Sequence, residues 1–376
     1  MKKLFVLGIA IIASSLPSSI AVAQTLSDVP YRFDQQKLQA AADPFHFLRS
    51  FVDYFYLVAK TNRSKFKAID DGWRFSGWCV GDAHPENFGA VILKDGASTF
   101  TMNDMDDSGP APVVLDLVRL MVSSRLYDAD TRLDRILEAY RTGLKAQNYT
   151  IPDAVAALLK KSGENGTSPD PDDVVGGKLK RNAQMSEVSR VEKRQMNEVL
   201  AKANLPLARN FKIIDLLATK KVGGGSGGLL RYEILINNDG VLVPLELKEE
   251  VQPAINSVAA GGASTTAERI RSTIQFAMGP GASSFYSVVE FKGKAMLVRP
   301  RFSGNIGVSL DKQTRKENAD LIRYEAYQLG VIHSRSLGPI QDWEKWITNL
   351  SIKDLESDVA AFAELFDSKF KQLKKR

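Results

Sequence analysis

The sequence predicts an α+β fold, and three observations carry that expectation. Apolar residues recur at helical spacing from about residue 44 to 211 and again after 303. Between them, residues 212–302 read as strand, Gly-rich turn, strand, strand, helix, strand, strand. The 376 residues are 44% hydrophobic and 25% charged, which is ordinary for a globular chain and excludes disordered, collagen-like and coiled-coil classes. The formal net charge is +6, and it falls to +4 if Lys2 and Lys3 leave with a leader. That excess is too small to indicate nucleic acid, and no aromatic-basic motif supports one.

Taken in order, Met1-Lys2-Lys3, the apolar run Leu4 to Ala13 and Ala21-Val22-Ala23 before Gln24 read as a cleaved signal peptide over 1–23. The apolar run is about ten residues where roughly 20 are needed to span a bilayer. The expectation is a periplasmic or secreted protein with its mature start at Gln24 and no membrane span. Cys79 is the only cysteine, so no intramolecular disulfide can form. Residues 24–43 read as a polar N-terminal arm. Phe45, Leu48, Phe51, Val52 and Phe55 predict a buried helix from Phe45 to Ala59. Residues 90–93 and 99–102 predict strands around the Lys94-Asp95-Gly96 turn. Helices are expected over 113–127 and 131–146, and an exposed Gly/Pro/Asp-rich loop over 162–177. Residues 178–200 read as a solvated charged face. Helices are expected again over 264–278, 318–336 and from 343 to the basic end.

Gly81-Asp82-Ala83-His84-Pro85-Glu86-Asn87-Phe88 is followed, after the hairpin, by Asn103-Asp104-Met105-Asp106-Asp107. Phosphoryl transfer uses one carboxylate to orient the attacking hydroxyl, with an Asn and an Asp to hold divalent metal over the phosphates. Hard oxygen ligands of this kind suit Mg²⁺ or Mn²⁺. Each dipeptide alone is an ordinary turn. The ordered pair, about 20 residues apart, points to a metal site.

This segment resembles the catalytic and metal-binding loops of the aminoglycoside and choline phosphotransferase branch of the protein-kinase-like superfamily. Gly81, Asp82, His84 and Asn87 match its catalytic loop. Asp104-Met105-Asp106 matches its metal-binding motif, Gly109-Pro110 its turn, and Asp116-Leu117 the start of its next helix. The chain departs from that pattern at Val80, where His is usual, and at Met105, where an aromatic is usual. The resemblance implies that Asp82 is the catalytic carboxylate and that Asn87 and Asp104 are metal ligands, with Asp106 a second acidic ligand. It implies a structural brace at Asp116 and a role for His84 in bracing the loop or in proton transfer.

Val222 to Leu229 contains the pattern G-x-G-S-x-G, with Gly223, Gly225, Ser226 and Gly228 at its defining positions. Such a run lets backbone N–H groups approach phosphate, although a flexible linker looks similar. Lys248 ends the third strand, beyond the Asn237 to Gly240 turn, where kinases place the lysine that pairs nucleotide phosphates. Glu268, about 20 residues later, would hold that lysine. Kinases carry the Gly-rich segment before the catalytic loop, whereas here it comes after.

The order therefore resembles a circularly permuted, bilobal protein-kinase-like fold with its Gly-rich strand lobe C-terminal to the catalytic and metal-binding loops. Residues 44–211 would form the catalytic-loop lobe, 212–302 the strand lobe, and 303–376 the helices completing the first. Over roughly 42–340 the chain resembles the bacterial domain of unknown function 2252 family. The similar segments are Pro44 to Arg49, Gly81 to Phe88, Asp116 to Leu120 and Leu329 to Arg335, and family members usually have Gly where Ser50 stands.

The expected function is a metal-dependent phosphotransferase or nucleotidyltransferase using ATP or another nucleotide and an unknown acceptor. A pseudokinase-type binder and a metallophosphoesterase are the rivals. The three histidines, His46, His84 and His333, are few for the latter. An Asp116–Arg119 ion pair is expected on one helix face. Arg299 and Arg301 read either as anion ligands or as a solvated strand end, and Cys79 as buried.

Overall fold

The computed structural model describes residues 26, 27, 29–220, 227–259, 266–336, 338 and 340–375. The leader expectation for 1–23 lies outside them, as do Gly223, Gly225 and Ser226. The chain mixes helix and strand, as its sequence predicts. The strands are β1 (Ser76–Cys79), β2 (Phe88–Ile92), β3 (Ser98–Met102), β4 (Gly109–Pro112), β5 (Val174–Val175), β6 (Lys178–Leu179), β7 (Met185–Glu187), β8 (Lys212–Thr219), β9 (Arg231–Asn238), β10 (Val241–Glu249), β11 (Ser287–Phe291), β12 (Lys294–Pro300) and β13 (Ile306–Gly307).

A six-stranded antiparallel sheet runs in the order β11-β12-β10-β9-β8-β7. Alternation along β9 and β10 buries Tyr232, Ile234, Ile236, Leu245 and Leu247 with Met296 and Val298 of β12. Met196 and Leu200, from the Arg190–Lys202 helix, cover that layer. A larger core gathers the helices around the Val114–Tyr127 helix, which is buried from Val114 to Ser124. Two small sheets, β13-β2-β3 and β1-β4, carry the loops between these cores.

Most expected elements are present, and four expectations change. The Phe45 to Ala59 helix breaks at Phe51 into Pro44–Ser50 and Val52–Thr61, because Phe51 leaves helical geometry (φ −126°, ψ 63°). The N-terminal arm contains a helix, Gln35–Ala40, and Tyr31 and Phe33 pack edge-on against Phe51. Residues 162–177 are not simply an exposed loop. Ser162 is buried in the last turn of the Asp153–Asn165 helix and its hydroxyl donates to Gly304 O at 2.6 Å. The amides of Ser303 and Gly304 donate to the carbonyls of Ser168 and Gly166, so the segment is zipped onto the chain leaving β12. Residues 178–200 supply β6 and β7 as well as helix, because their register lets Met185 to Glu187 pair with β8.

Two long-range contacts hold the helical body together. The Leu133–Leu144 and Arg315–Ser336 helices cross at two glycines. A Cβ at Gly143 would lie 2.0 Å from the Tyr327 carbonyl, and one at Gly330 would lie 2.3 Å from that of Tyr140. The second contact caps the Lys67–Gly72 helix, whose own N-cap residue makes no side-chain bond. Asp358, from the Ile352–Lys374 helix, accepts the Lys67, Ala68 and Ile69 amides at 3.1, 2.8 and 3.1 Å. Asp358→Ala removes an acceptor shared by three amides and should cost about 1–3 kcal/mol. Urea unfolding checks this, and an unchanged midpoint would contradict it.

Candidate functional site

The Gly81 to Asn87 loop leaves β1 and is held from beneath by one carboxylate. Asp116, in the first turn of the Val114–Tyr127 helix, is fully buried. Its oxygens accept the Val80 amide at 2.6 Å and the Gly81 amide at 3.1 Å. His333 Nε2 lies 3.1 Å from Asp116 Oδ2, and its Nδ1 lies 2.6 Å from the Tyr140 hydroxyl. Trp343 Nε1 donates to that hydroxyl at 3.0 Å. One set of directions satisfies all four groups. The indole donates to Tyr140, Tyr140 donates to His333 Nδ1, and His333 Nε2–H donates to the carboxylate. The bracing role expected of Asp116 is thus geometrically explicit, and His333 acts through it. Burial pushes the Cys79 and Tyr140 pKa values well up, so both stay protonated in this core.

Cys79, Asp116 and His333 bring ligand atoms within 4.8 Å of one another. Asp116 is already committed to two amides and a His N–H, which makes the cluster a brace. Gly81 sits at φ +85°, and a Cβ there would lie 1.8 Å from the Asp107 carbonyl. No side chain fits that approach.

Above the brace, Asp82 Oδ1 accepts two bonds from Arg119, at 2.9 Å from Nε and 2.5 Å from Nη2. The expected Asp116–Arg119 pair is not formed. Asp116 is saturated by the loop amides and His333, and the buried guanidinium reaches Asp82 and the Leu48 carbonyl instead. Its carbon also lies 4.9 Å from the Phe55 ring centroid. The Asp82 side chain is 16% exposed, and burial raises its pKa despite Arg119. His84 Nδ1 accepts the Glu86 amide at 3.2 Å, while Nε2 stands 3.6 Å from Asp82 Oδ2, beyond a hydrogen bond. Burial, then Arg49 and Arg119, hold the His84 pKa well below its ordinary value, so the ring is neutral. Asn87 is buried and donates from Nδ2 to the Asp82 carbonyl at 2.9 Å, which leaves Oδ1 as the atom it can offer a cation.

The Asn103 to Asp107 segment turns beside this loop. Lys248, on β10 and 144 residues away in sequence, reaches it: Nζ lies 3.3 Å from Asp104 Oδ1 and pairs with Asp106 Oδ2. Lys248 is 1% exposed and the Asp104 side chain 37%. Burial and the Asp104 charge push the Asp106 carboxyl up to about 6 against the pull of Lys248. Asp107 is raised to about 6, mainly by burial, and its Oδ1 accepts the Ala254 amide at 2.8 Å.

Glu268 does not hold Lys248. It is exposed in the first turn of the Thr266–Met278 helix. Arg269, one residue on, faces inward. It donates to the Met105 and Asp106 carbonyls at 3.1 and 2.8 Å and pairs with Glu250 at 2.9 Å. The sequence reading missed Arg269 and Glu250. The signal that could have found Arg269 is its place next to Ile270 and one turn before Thr273, both on the buried face of that helix.

Gly228 has φ +85° with open space around it, at the near edge of the Gly-rich segment. Arg299 is bound by Glu246, which also takes Arg231, while Arg301 is 46% exposed and 3.9 Å from Asp173. Both arginines line a cleft of about 320 Å³ with Asn87, Asp104, Asp173 and Tyr286. The 162–177 segment therefore contributes a wall of the cleft.

The model of a bacterial family described as "Uncharacterized protein conserved in bacteria (DUF2252)" matches residues 28–136 and 145–372. The chain belongs to that family. No curated protein and no solved structure matches it. In this DUF2252 chain, no helix among the described residues is long and apolar enough to cross a membrane.

The close approach at Gly81 gives a test of the loop's geometry. Gly81→Ala should destabilise the protein by several kcal/mol, or prevent folding, since both the positive φ and the Asp107 carbonyl oppose a Cβ (roughly 1–3 kcal/mol for the backbone strain alone). A thermal melt within about 1 °C of wild type would contradict the arrangement.

Proposed function

We propose that this DUF2252 protein is a metal-dependent phosphotransferase or nucleotidyltransferase of circularly permuted, bilobal kinase-like fold, exported through the leader at 1–23. The observation that carries the proposal is the convergence of Lys248 with Asp104 and Asp106, beside Asn87 and Asp82. A turn-and-cap origin for these residues gives no reason for a lysine from a distant strand to be buried against that one segment. Arg301, exposed on the cleft wall, suits an anionic ligand.

The residues fit a hard divalent ion such as Mg²⁺ or Mn²⁺. Asp104, Asp106 and Asn87 Oδ1 are oxygen donors, and Asp106 Oδ1 is a buried oxygen without a hydrogen-bond partner. When bound, such an ion neutralises and orients the phosphates of a nucleotide donor. Lys248 would pair those phosphates, the Gly223 to Gly228 segment would cover them, and Asp82 would orient the acceptor hydroxyl. Arg119 fixes Asp82 through Oδ1 and leaves Oδ2 to meet the acceptor. His84, neutral and capping the 85–87 turn, supports the loop and does not transfer the proton.

One observation favours a second reading, a non-catalytic nucleotide binder: Arg119 holds Asp82 Oδ1 with two N–H groups, a grip that suits a structural carboxylate as well as a catalytic one. The two readings separate on mutants. In calorimetry, Asp104→Asn should weaken Mg²⁺-dependent nucleotide binding by about tenfold or more, because a charged oxygen ligand is lost. Asp82→Asn should leave that binding unchanged while transfer falls by about 10²–10⁴-fold. Nucleotide binding by wild type without transfer to any acceptor would favour the binder. No nucleotide binding at any Mg²⁺ or Mn²⁺ concentration would overturn both.

A further inference from the structure

The Lys248 ammonium stands where the Asp104 and Asp106 carboxylates converge, 3.3 Å from Asp104 Oδ1 and paired with Asp106 Oδ2. That is also the place a cation shared by the two carboxylates would take. The ammonium is 1% exposed, so these two carboxylates, and not water, are what it faces. Its backbone is fixed in the middle of the sheet, opposite Arg231 of β9 and Leu297 of β12. Only the side chain can move aside. Arg299 cannot exchange with it, being held by Glu246 and, at 3.4 Å, by the Asn103 carbonyl. An ammonium and a divalent ion held by the same two carboxylates, even through different oxygens such as Asp106 Oδ2 and Oδ1, repel strongly away from bulk water.

We propose that Lys248 is an internal counter-ion that makes metal binding conditional on a polyphosphate ligand. The inference rests on the reading that Asp104 and Asp106 hold the metal. Phosphate oxygens give the ammonium an alternative partner. As it swings to them, its charge leaves both carboxylates and no longer opposes the divalent ion. Metal alone then binds weakly, polyphosphate alone binds weakly, and each strengthens the other by the same factor, as linkage requires. The protein would thereby engage donor and metal together, and would not hold bare metal at a site built of two adjacent carboxylates.

The test measures Mn²⁺ binding by the full mature chain, using calorimetry and the electron paramagnetic resonance signal of free Mn²⁺. Lys248→Met removes the charge and keeps the apolar stem, and it should bind Mn²⁺ alone about tenfold or more tighter than wild type. Lys248→Arg keeps a cation in place and should stay as weak as wild type. Inorganic tripolyphosphate, with its own Mn²⁺ complex accounted for, should tighten Mn²⁺ binding about tenfold in wild type and little in Lys248→Met. Equal Mn²⁺ affinity in wild type and Lys248→Met, lost in Asp104→Asn, would overturn the competition and leave the metal site standing. No Mn²⁺ bound by any form, with or without tripolyphosphate, would overturn the metal reading and this inference with it. If Lys248→Met does not fold, Lys248→Gln carries the same expectation. Independently of any variant, failure of tripolyphosphate to tighten Mn²⁺ binding in wild type would overturn the inference.

Discussion

A buried ammonium joins the two hydrophobic cores at the point where chemistry is proposed. Lys248 leaves the six-stranded sheet and ends between two carboxylates of a loop that belongs to the helical body. A buried charge of this kind is tolerable only with its partners, and removing one side of such a pair typically costs about 3–5 kcal/mol. The sheet, the Asn103 to Asp107 segment and the cleft beside it therefore constrain one another. Arg269 adds a second tie between them, gripping the same segment through its carbonyls.

The loop opposite depends on a different economy of hydrogen bonds. Asp116 is buried, and its charge is met by two amides and one imidazole N–H. The line from Trp343 through Tyr140 and His333 holds the imidazole with Nε2 against the carboxylate. That line exists only because Gly143 and Gly330 let two helices approach to backbone contact. Residues far from the cleft thus determine the orientation of Asp82. Its carboxylate is in turn aligned by Arg119, three residues along the helix from Asp116.

Much of this was legible in the sequence, and the reason differs by residue. Asp82, Asn87, Asp104 and Lys248 lie in short patterns whose residue types carry chemistry, so their grouping could be anticipated from order and spacing. The strand sequence of 212–302 was legible because short apolar, β-prone runs are separated by turn residues such as Asn237 to Gly240. The partner of Lys248 was not. Glu268 was expected there, but the rotation of the Thr266–Met278 helix turns Arg269 inward and leaves Glu268 on the exposed face, and the lysine pairs with Asp104 and Asp106 instead. Composition likewise suggested a free loop at 162–177, whereas the carbonyls of Gly166 and Ser168 meet amides 138 and 135 residues away, a pairing with no local signature. Arg119 was misassigned for a similar reason. Its i, i+3 neighbour was already saturated, which spacing cannot reveal.

The most direct test of the account is a crystal structure of the full chain with Mn²⁺ and a non-hydrolysable nucleotide. The account predicts an anomalous Mn²⁺ peak bound by carboxylate oxygens of Asp104 and Asp106, at about the 2.0–2.6 Å expected for a hard cation on oxygen. Lys248 should have turned from those carboxylates to the phosphates. A nucleotide bound elsewhere, or Mn²⁺ found only at Cys79, Asp116 and His333 while Lys248 keeps both carboxylates, would contradict it.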